Sequence, residues 1–367
     1  MRFDRRLFIH FDWTLLSLVF LILAIGLINL YSAGFNLSRE TSLCARQGKW
    51  IVLGLFGMIA AFSIDYRTIM RHAYTIYGVA IFLLLVVFFY GYATHGSQRW
   101  ITFLGFSFQP SELMKLVIIL TLARYFDDYK LNRKLLLKDL MIPSVIVAVP
   151  FILILRQPDL GTALMLLIIF ASMVLFIGVN WRSLIIAITT CLVLIPIAWH
   201  FLKDYQKERI LTFLAPERDP LGSGYHIIQS MIAVGSGGFF GKGFLKGTQT
   251  QLKFLPEQQT DFVFSVYAEE WGFFGAMVLL VLFMLLILWG LKIANHSRDY
   301  LGTLVAFGIS MLIFWGVAIN IGMVLGVLPV VGIPLPFMSY GGSAIVVLLT
   351  AMGLMLNISM RRYILHS

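Results

Sequence analysis

Apolar residues along this chain gather into long runs separated by short polar joints. A membrane-spanning helix needs about 20 consecutive, mostly apolar residues. The runs therefore predict helices near 11–33, 48–64, 74–92, 111–126, 140–155, 161–178, 183–201, 262–293, 302–326 and 342–359. The pattern predicts an all-α integral membrane protein, a bundle of about ten transmembrane helices forming a single polytopic membrane domain over 1–367. One long polar interruption, roughly 203–261, falls between the seventh and eighth helices. Its aromatic and aliphatic residues alternate with glycine, so it is expected to be partly ordered. The first run follows Arg2, Arg5 and Arg6, but it is longer than a signal-peptide core and reads as a retained helix.

The distribution of charge gives the chain a direction. If the N-terminus is cytoplasmic, the joints on that side carry Arg67 and Arg71, then Lys130, Arg133, Lys134 and Lys138, then Arg182, Lys292, Arg298, Arg361 and Arg362. The short joints on the other side carry only Arg39, Arg46, Lys49, Arg99 and Arg156. The positive-inside rule then predicts both termini in the cytoplasm and the long loop outside.

Composition agrees with that reading. The chain is 59% hydrophobic and 13% charged, with a mean hydropathy of +0.88, too apolar for an ordinary soluble domain. Its formal charge of +10 could suggest nucleic acid in a soluble protein, but the basic residues sit at span ends, where topology accounts for them. Nucleic-acid binding is rejected on that ground. Cys44 and Cys191 show neither metal spacing nor a disulfide framework.

Ionisable residues at the membrane edge are the candidates for chemistry. In the stretch from Gly96 to Lys115, Pro110 suits a first helical position, Glu112 falls in the first turn, and Lys115 lies on the same face. The two can pair at the membrane mouth, either as a structural ion pair or as part of a site. In "RQPDLGT", Arg156 to Thr162, Asp159 can cap the following helix or join an ion pair or anion site. In "KFLPEQQTDFVFSVYAEEWG", Lys253 to Gly272, Asp261 stands where a polar loop becomes an apolar helix, with Glu269 and Glu270 two to three turns further on. Desolvation there would raise its pKa toward that of a general base; an N-cap role for Thr260 or Asp261 competes. The Gly-rich run from Gly235 to Gln251, with Lys242 and Lys246, could cradle phosphate or act as a hinge. The run from Val330 to Ala344, containing Pro334, Pro336, Gly341 and Gly342, is expected to wall a groove.

Together these strings resemble the SEDS (shape, elongation, division, sporulation) family of bacterial membrane proteins over nearly the whole chain. The resemblance is carried by "FQPSE" (Phe108 to Glu112), "QPDLGT" (Gln157 to Thr162), "DPLGSGYHIIQS" (Asp219 to Ser230), "GTQTQLKFLPE" (Gly247 to Glu257), "TDFVF" (Thr260 to Phe264) and "SYGGSA" (Ser339 to Ala344). The "GYHIIQS" and "GTQTQ" strings resemble the elongation branch rather than the division branch. The chain departs from the family pattern at Gln259, where histidine is frequent.

The resemblance implies a peptidoglycan glycosyltransferase that polymerises lipid II at the outer face of the bacterial cytoplasmic membrane. It implies as partners a class B penicillin-binding protein, which supplies the transpeptidase, and other elongation-complex proteins. Asp261 would be the general base, and Arg99, Glu112, Lys115, Asp159 and Thr260 would surround the same outward cavity. Arg99, Lys115, Arg209 and Lys242 are the candidates for holding the substrate diphosphate. A divalent cation, Mg2+ or Mn2+, would suit its oxygens; no covalently bound cofactor is expected. A lipid II flippase and a non-catalytic scaffold for the penicillin-binding protein are the alternatives, the former calling for ionisable groups deeper in the bundle or on both faces.

Overall fold

The computed structural model describes residues 11–35, 40–90, 92–94, 97–103, 106–129, 134–201, 204–216, 222–252, 254–255 and 257–362. Its ten long helices coincide with the ten apolar runs. They are α1 (Trp13–Gly34), α2 (Glu40–Ser63), α4 (Ala73–Tyr90), α5 (Pro110–Tyr129), α6 (Met141–Arg156), α7 (Leu160–Ile177), α8 (Trp181–Phe201), α12 (Val263–Asn295), α13 (Tyr300–Val324) and α14 (Gly342–Arg361). The short helix α3 (Tyr66–Arg71) joins α2 to α4. Seven spans among the described residues are long and apolar enough to cross a membrane: α1, α4, α6 with the turn that precedes it, α7, α12, α13 and α14. Of the other three, α2 opens with Glu40, Arg46 and Lys49, and α5 carries Glu112, Lys115, Arg124, Asp127 and Asp128.

Helix starts follow local chemistry. Asp12, Asp159 and Asp299 accept backbone N–H bonds from Leu15, Thr162 and Gly302 as the N-caps of α1, α7 and α13, and Pro110 takes the first position of α5. Helices α13 and α14 are mostly buried, whereas α4 and α6 turn most of their surface outward. In lipid the hydrophobic effect does not drive helices together, so close packing must. Accordingly α14 lies most extensively against α2, where Gly353 abuts the Met58 backbone and Gly54 abuts Leu349.

Between α4 and α5 the chain forms a small antiparallel sheet, β1 (Tyr92–Thr94), β2 (Ser97–Phe103) and β3 (Phe106–Phe108), with Ile101 opposite Phe108. The polar interruption is more regular than a loop: it contains α9 (Asp204–Leu214), α10 (Ser223–Ser236) and α11 (Thr248–Gln251).

Helix α12 is broken at Gly272, whose φ of 64° and ψ of −164° lie outside the helical region. The break frees backbone groups on both sides, and the Gly-rich loop takes them up. Lys242 and Gly243 N–H donate to the carbonyls of Glu269 and Glu270, while Phe273 and Phe274 N–H donate to those of Gly238 and Phe239. Gly241, at φ 81°, lets the loop backbone approach so closely that a Cβ there would collide with the Glu270 carbonyl. The glycines of this run are thus used for backbone contact with α12.

A polar clasp closes the opposite end of the bundle. Asp12 accepts from Trp289 Nε1 and Ser359 Oγ, the Tyr66 hydroxyl and Arg67 meet Asp299, and Arg361 pairs with Asp65.

Candidate active site

At the end of the bundle where α12 and α14 begin and α13 ends, a cavity of about 150 Å3 is lined by Arg99, Gln109, Glu112, Asp159, Thr162, Thr260, Asp261, Gly332, Pro334, Tyr340, Ser343 and others. The sequence separations are large. The bundle gathers strand β2, the first turns of α5 and α7, the turn before α12 and the extended segment before α14 around one space.

Asp159 is both a cap and a wall. Its Oδ1 accepts from Thr162 N at 3.2 Å, and its Oδ2 accepts from Gln109 Nε2 at 3.0 Å and Ser111 Oγ at 3.3 Å. Arg99 faces it, with Nη1 3.8 Å from Oδ1, while the same guanidinium donates to the carbonyls of Gln157 and Pro158. Gln157 is itself fixed by a bond to the Leu84 carbonyl. Asp159 thus caps α7 and also joins an ion pair, with Arg99 rather than with the neighbouring Arg156.

Glu112 and Lys115 form the expected pair one helical turn apart, and both are buried. Glu112 borders the main cavity, and both residues border a smaller apolar recess behind Pro334 and Ala344.

Asp261 does not cap α12. The cap position is Phe262, with no side-chain hydrogen bond, and Thr260 Oγ1 turns back to Glu257. Among the described residues the Asp261 carboxylate has no hydrogen-bond donor. It lines the cavity and is half-buried. Its pKa is pushed up to about 6, first by loss of solvent and then by Glu257, with Asp159 adding to the rise and Arg209 and Arg99 opposing it.

Arg209, on α9, is therefore near enough to feel Asp261. Lys242 is placed elsewhere: its Nζ is 2.7 Å from Glu269 Oε1 and 2.7 Å from Thr248 Oγ1, outside the cavity lining. Glu269, fully buried, also accepts from the N–H groups of Gln249 and Thr250. Glu270 accepts from Ser32 Oγ and Leu245 N. These two carboxylates hold the Gly-rich loop rather than facing the cavity.

Sequence reasoning missed the uncharged groups: Gln109 and Ser111, which hold Asp159, and Asn320 and Ser339, which hold the Asp261 turn. The signal available for Asn320 was an amide inside the apolar run 302–326.

A charged recess at one end of a bundle of apolar helices, walled partly by extended chain, defines a multi-pass membrane protein. The chain belongs to the FTSW_RODA_SPOVE family, described as "Cell cycle protein", whose sequence profile matches residues 12–364. Among its relatives is the peptidoglycan glycosyltransferase MrdB of Escherichia coli (strain K12), 40% identical over 361 residues, which are 97% of this chain and 95% of that protein. Two solved structures are similar. One is a chain from a study of the structural coordination of polymerization and crosslinking by a peptidoglycan synthase complex, with TM-score 0.82, 36% identity and coverage of 96% of this chain and 98% of that one. The other is the rod shape determining protein RodA of Thermus thermophilus, with TM-score 0.72, 30% identity and the same coverages of 96% and 98%.

Proposed function

We propose that this chain is a peptidoglycan glycosyltransferase that polymerises lipid II into β-1,4 glycan strands at the outer face of the bacterial cytoplasmic membrane during cell elongation, with Asp261 as general base. The observation that carries the assignment of the base is the Asp261 carboxylate, unengaged by hydrogen bonds among the described residues, in the lining of a cavity that also takes in Arg99.

Chain growth requires the 4-hydroxyl of an acceptor sugar to attack the anomeric carbon of a donor as polyprenyl pyrophosphate leaves. Asp261 takes the hydroxyl proton as the new C–O bond forms, and the old bond breaks toward the diphosphate with inversion at the anomeric carbon. A carboxyl with pKa about 6 is mostly ionised at neutral pH yet more basic than an ordinary aspartate. Positive charge beside the leaving group stabilises the transition state. Arg99, in the cavity lining, and Arg209, near Asp261, are the candidates to supply it; Lys115 is neutralised by Glu112 and lines only the smaller recess. Lys242, tied to Glu269, is not positioned for this. Among the described residues no three or more His, Cys, Asp or Glu gather as a metal site, so a divalent cation here would be held chiefly by the substrate's diphosphate oxygens.

The cavity end carries few basic joints and the opposite end many, which supports cytoplasmic termini and an outward site. The likeness to a chain of a peptidoglycan synthase complex supports a class B penicillin-binding protein as partner. The test is polymerisation of labelled lipid II by purified protein, with and without that partner, comparing Asp261→Ala with the parent. Normal polymer from a folded Asp261→Ala protein overturns the mechanism; lipid II crossing proteoliposomes without polymer favours a flippase.

A further inference from the structure

The turn that carries Asp261 is held by its carbonyls. Tyr340 N donates to the Gln259 carbonyl at 2.8 Å, Ser339 Oγ to the Thr260 carbonyl at 2.6 Å, and Asn320 Nδ2 to the Asp261 carbonyl at 2.9 Å. Three consecutive peptide oxygens are thus tied to chain that lies 59 to 81 residues further on. The same Asn320 Nδ2 donates its second hydrogen to the Ile333 carbonyl at 2.8 Å, and Ser339 Oγ accepts from Leu335 N. Asn320 is fully buried in α13, and its Oδ1 has no partner among the described residues.

The amide's orientation is settled by these contacts, because the reverse would set Oδ1 against two carbonyl oxygens. Only a side chain with two N–H donors on one short arm can bridge two acceptors in this way. What it bridges matters: the Asp261 residue on one side, and on the other the extended segment whose Gly332 stands beside the carboxylate, where a Cβ would come within 3.6 Å of Oδ2.

We infer that Asn320 is a positioning residue for Asp261, acting with Ser339 and the Tyr340 amide as a stitch that fixes the base against the Gly332–Pro334 wall and limits its access to water. The inference rests on reading Asp261 as the base. The charged groups facing Asp261 are Glu257 in its own turn, Arg209 of α9, Asp159 at the start of α7 and Arg99 of β2, with Glu112 of α5 lining the same cavity. None lies on α13, so a substitution of Asn320 leaves the local charge unchanged and acts through geometry and hydration alone.

The experiment measures lipid II polymerisation against pH for the parent, Asp261→Ala, Asn320→Leu and Ser339→Ala, each normalised to protein that is folded by size exclusion and thermal unfolding. Asn320→Leu keeps the volume and removes both bonds. Expected is a kcat roughly a hundredfold lower, as for a displaced reacting group, with KM little changed and the acid limb moved to lower pH as the freed carboxylate gains water. Ser339→Ala should show the same shift at smaller size. Parent-like kcat in Asn320→Leu, or lost activity with an unmoved acid limb, overturns the inference. If Asn320→Leu does not accumulate folded, an unmoved acid limb in Ser339→Ala overturns it. Activity retained in Asp261→Ala would instead sink the assignment of the base, so the two failures are distinguishable.

Discussion

The ammonium of Lys115 lies 2.8 Å from each carboxylate oxygen of Glu112, with both side chains nearly closed off from solvent and the pair bordering the recess behind Pro334. Removing one partner strands a buried charge, which costs about 3–5 kcal/mol, whereas replacing both by apolar residues is often neutral. Glu112→Leu and Lys115→Met should each destabilise the protein strongly and the double variant should recover. Because Glu112 also borders the proposed substrate site, polymerisation should not recover with it. Thermal unfolding and lipid II turnover on the three variants check both halves.

Asp261 should separate stability from activity as pH changes. Its pKa rises from 3.8 to about 6 on folding, so the folded state holds the proton more tightly and stability declines as pH rises through that interval. Polymerisation, which needs the ionised base, should rise over the same range. Asp261→Asn should therefore be inactive at every pH yet more stable than the parent above about pH 6, a difference readable in parallel melts at pH 5 and pH 8.

Arg99 reaches two backbone carbonyls and the Asp159 carboxylate with one planar fork. A lysine cannot reproduce that set. Arg99→Lys should keep the charge but lower turnover by about a hundredfold, the loss typical of one displaced transition-state donor. Steady-state kinetics on Arg99→Lys and Arg99→Ala would find the two closer to each other than either is to the parent.

Glu269 holds the loop from Lys242 to Thr250 onto α12. Glu269→Ala strands Lys242 and four neutral donor groups and should loosen that loop by about 3–5 kcal/mol. Faster hydrogen exchange confined to 237–251, with the opposite end of the bundle unchanged, is the expected signature.

The ten apolar runs found the ten long helices because each is continuous and flanked by polar joints. The helices inside 203–261 escaped that reading, since α9 and α11 are too polar or too short to register as runs. The charged members of the site were legible because a carboxylate or guanidinium at a span end is conspicuous. Lys242 was legible for the same reason, although its partner is Glu269; spacing shows that a charge is present and not which way it faces. Gln109, Asn320 and Ser339 stayed hidden because their roles depend on contacts between segments far apart in sequence. The reading of the Gly-rich run as a phosphate cradle or a hinge likewise depended on the break at Gly272, which nothing local announces.

Because the cavity takes residues from β2, from the starts of α5 and α7, from the turn before α12 and from the extended segment and helix that follow α13, it is completed only after α13 has been made. A nascent protein inserted as far as α12 already carries Arg99, Asp159 and Asp261, but lacks Asn320, Gly332 and Ser343. Polymerising competence is therefore a property of the finished insertion product, and a chain stalled or truncated before Gly342 would hold its charged residues in the membrane without the wall that turns them into a site.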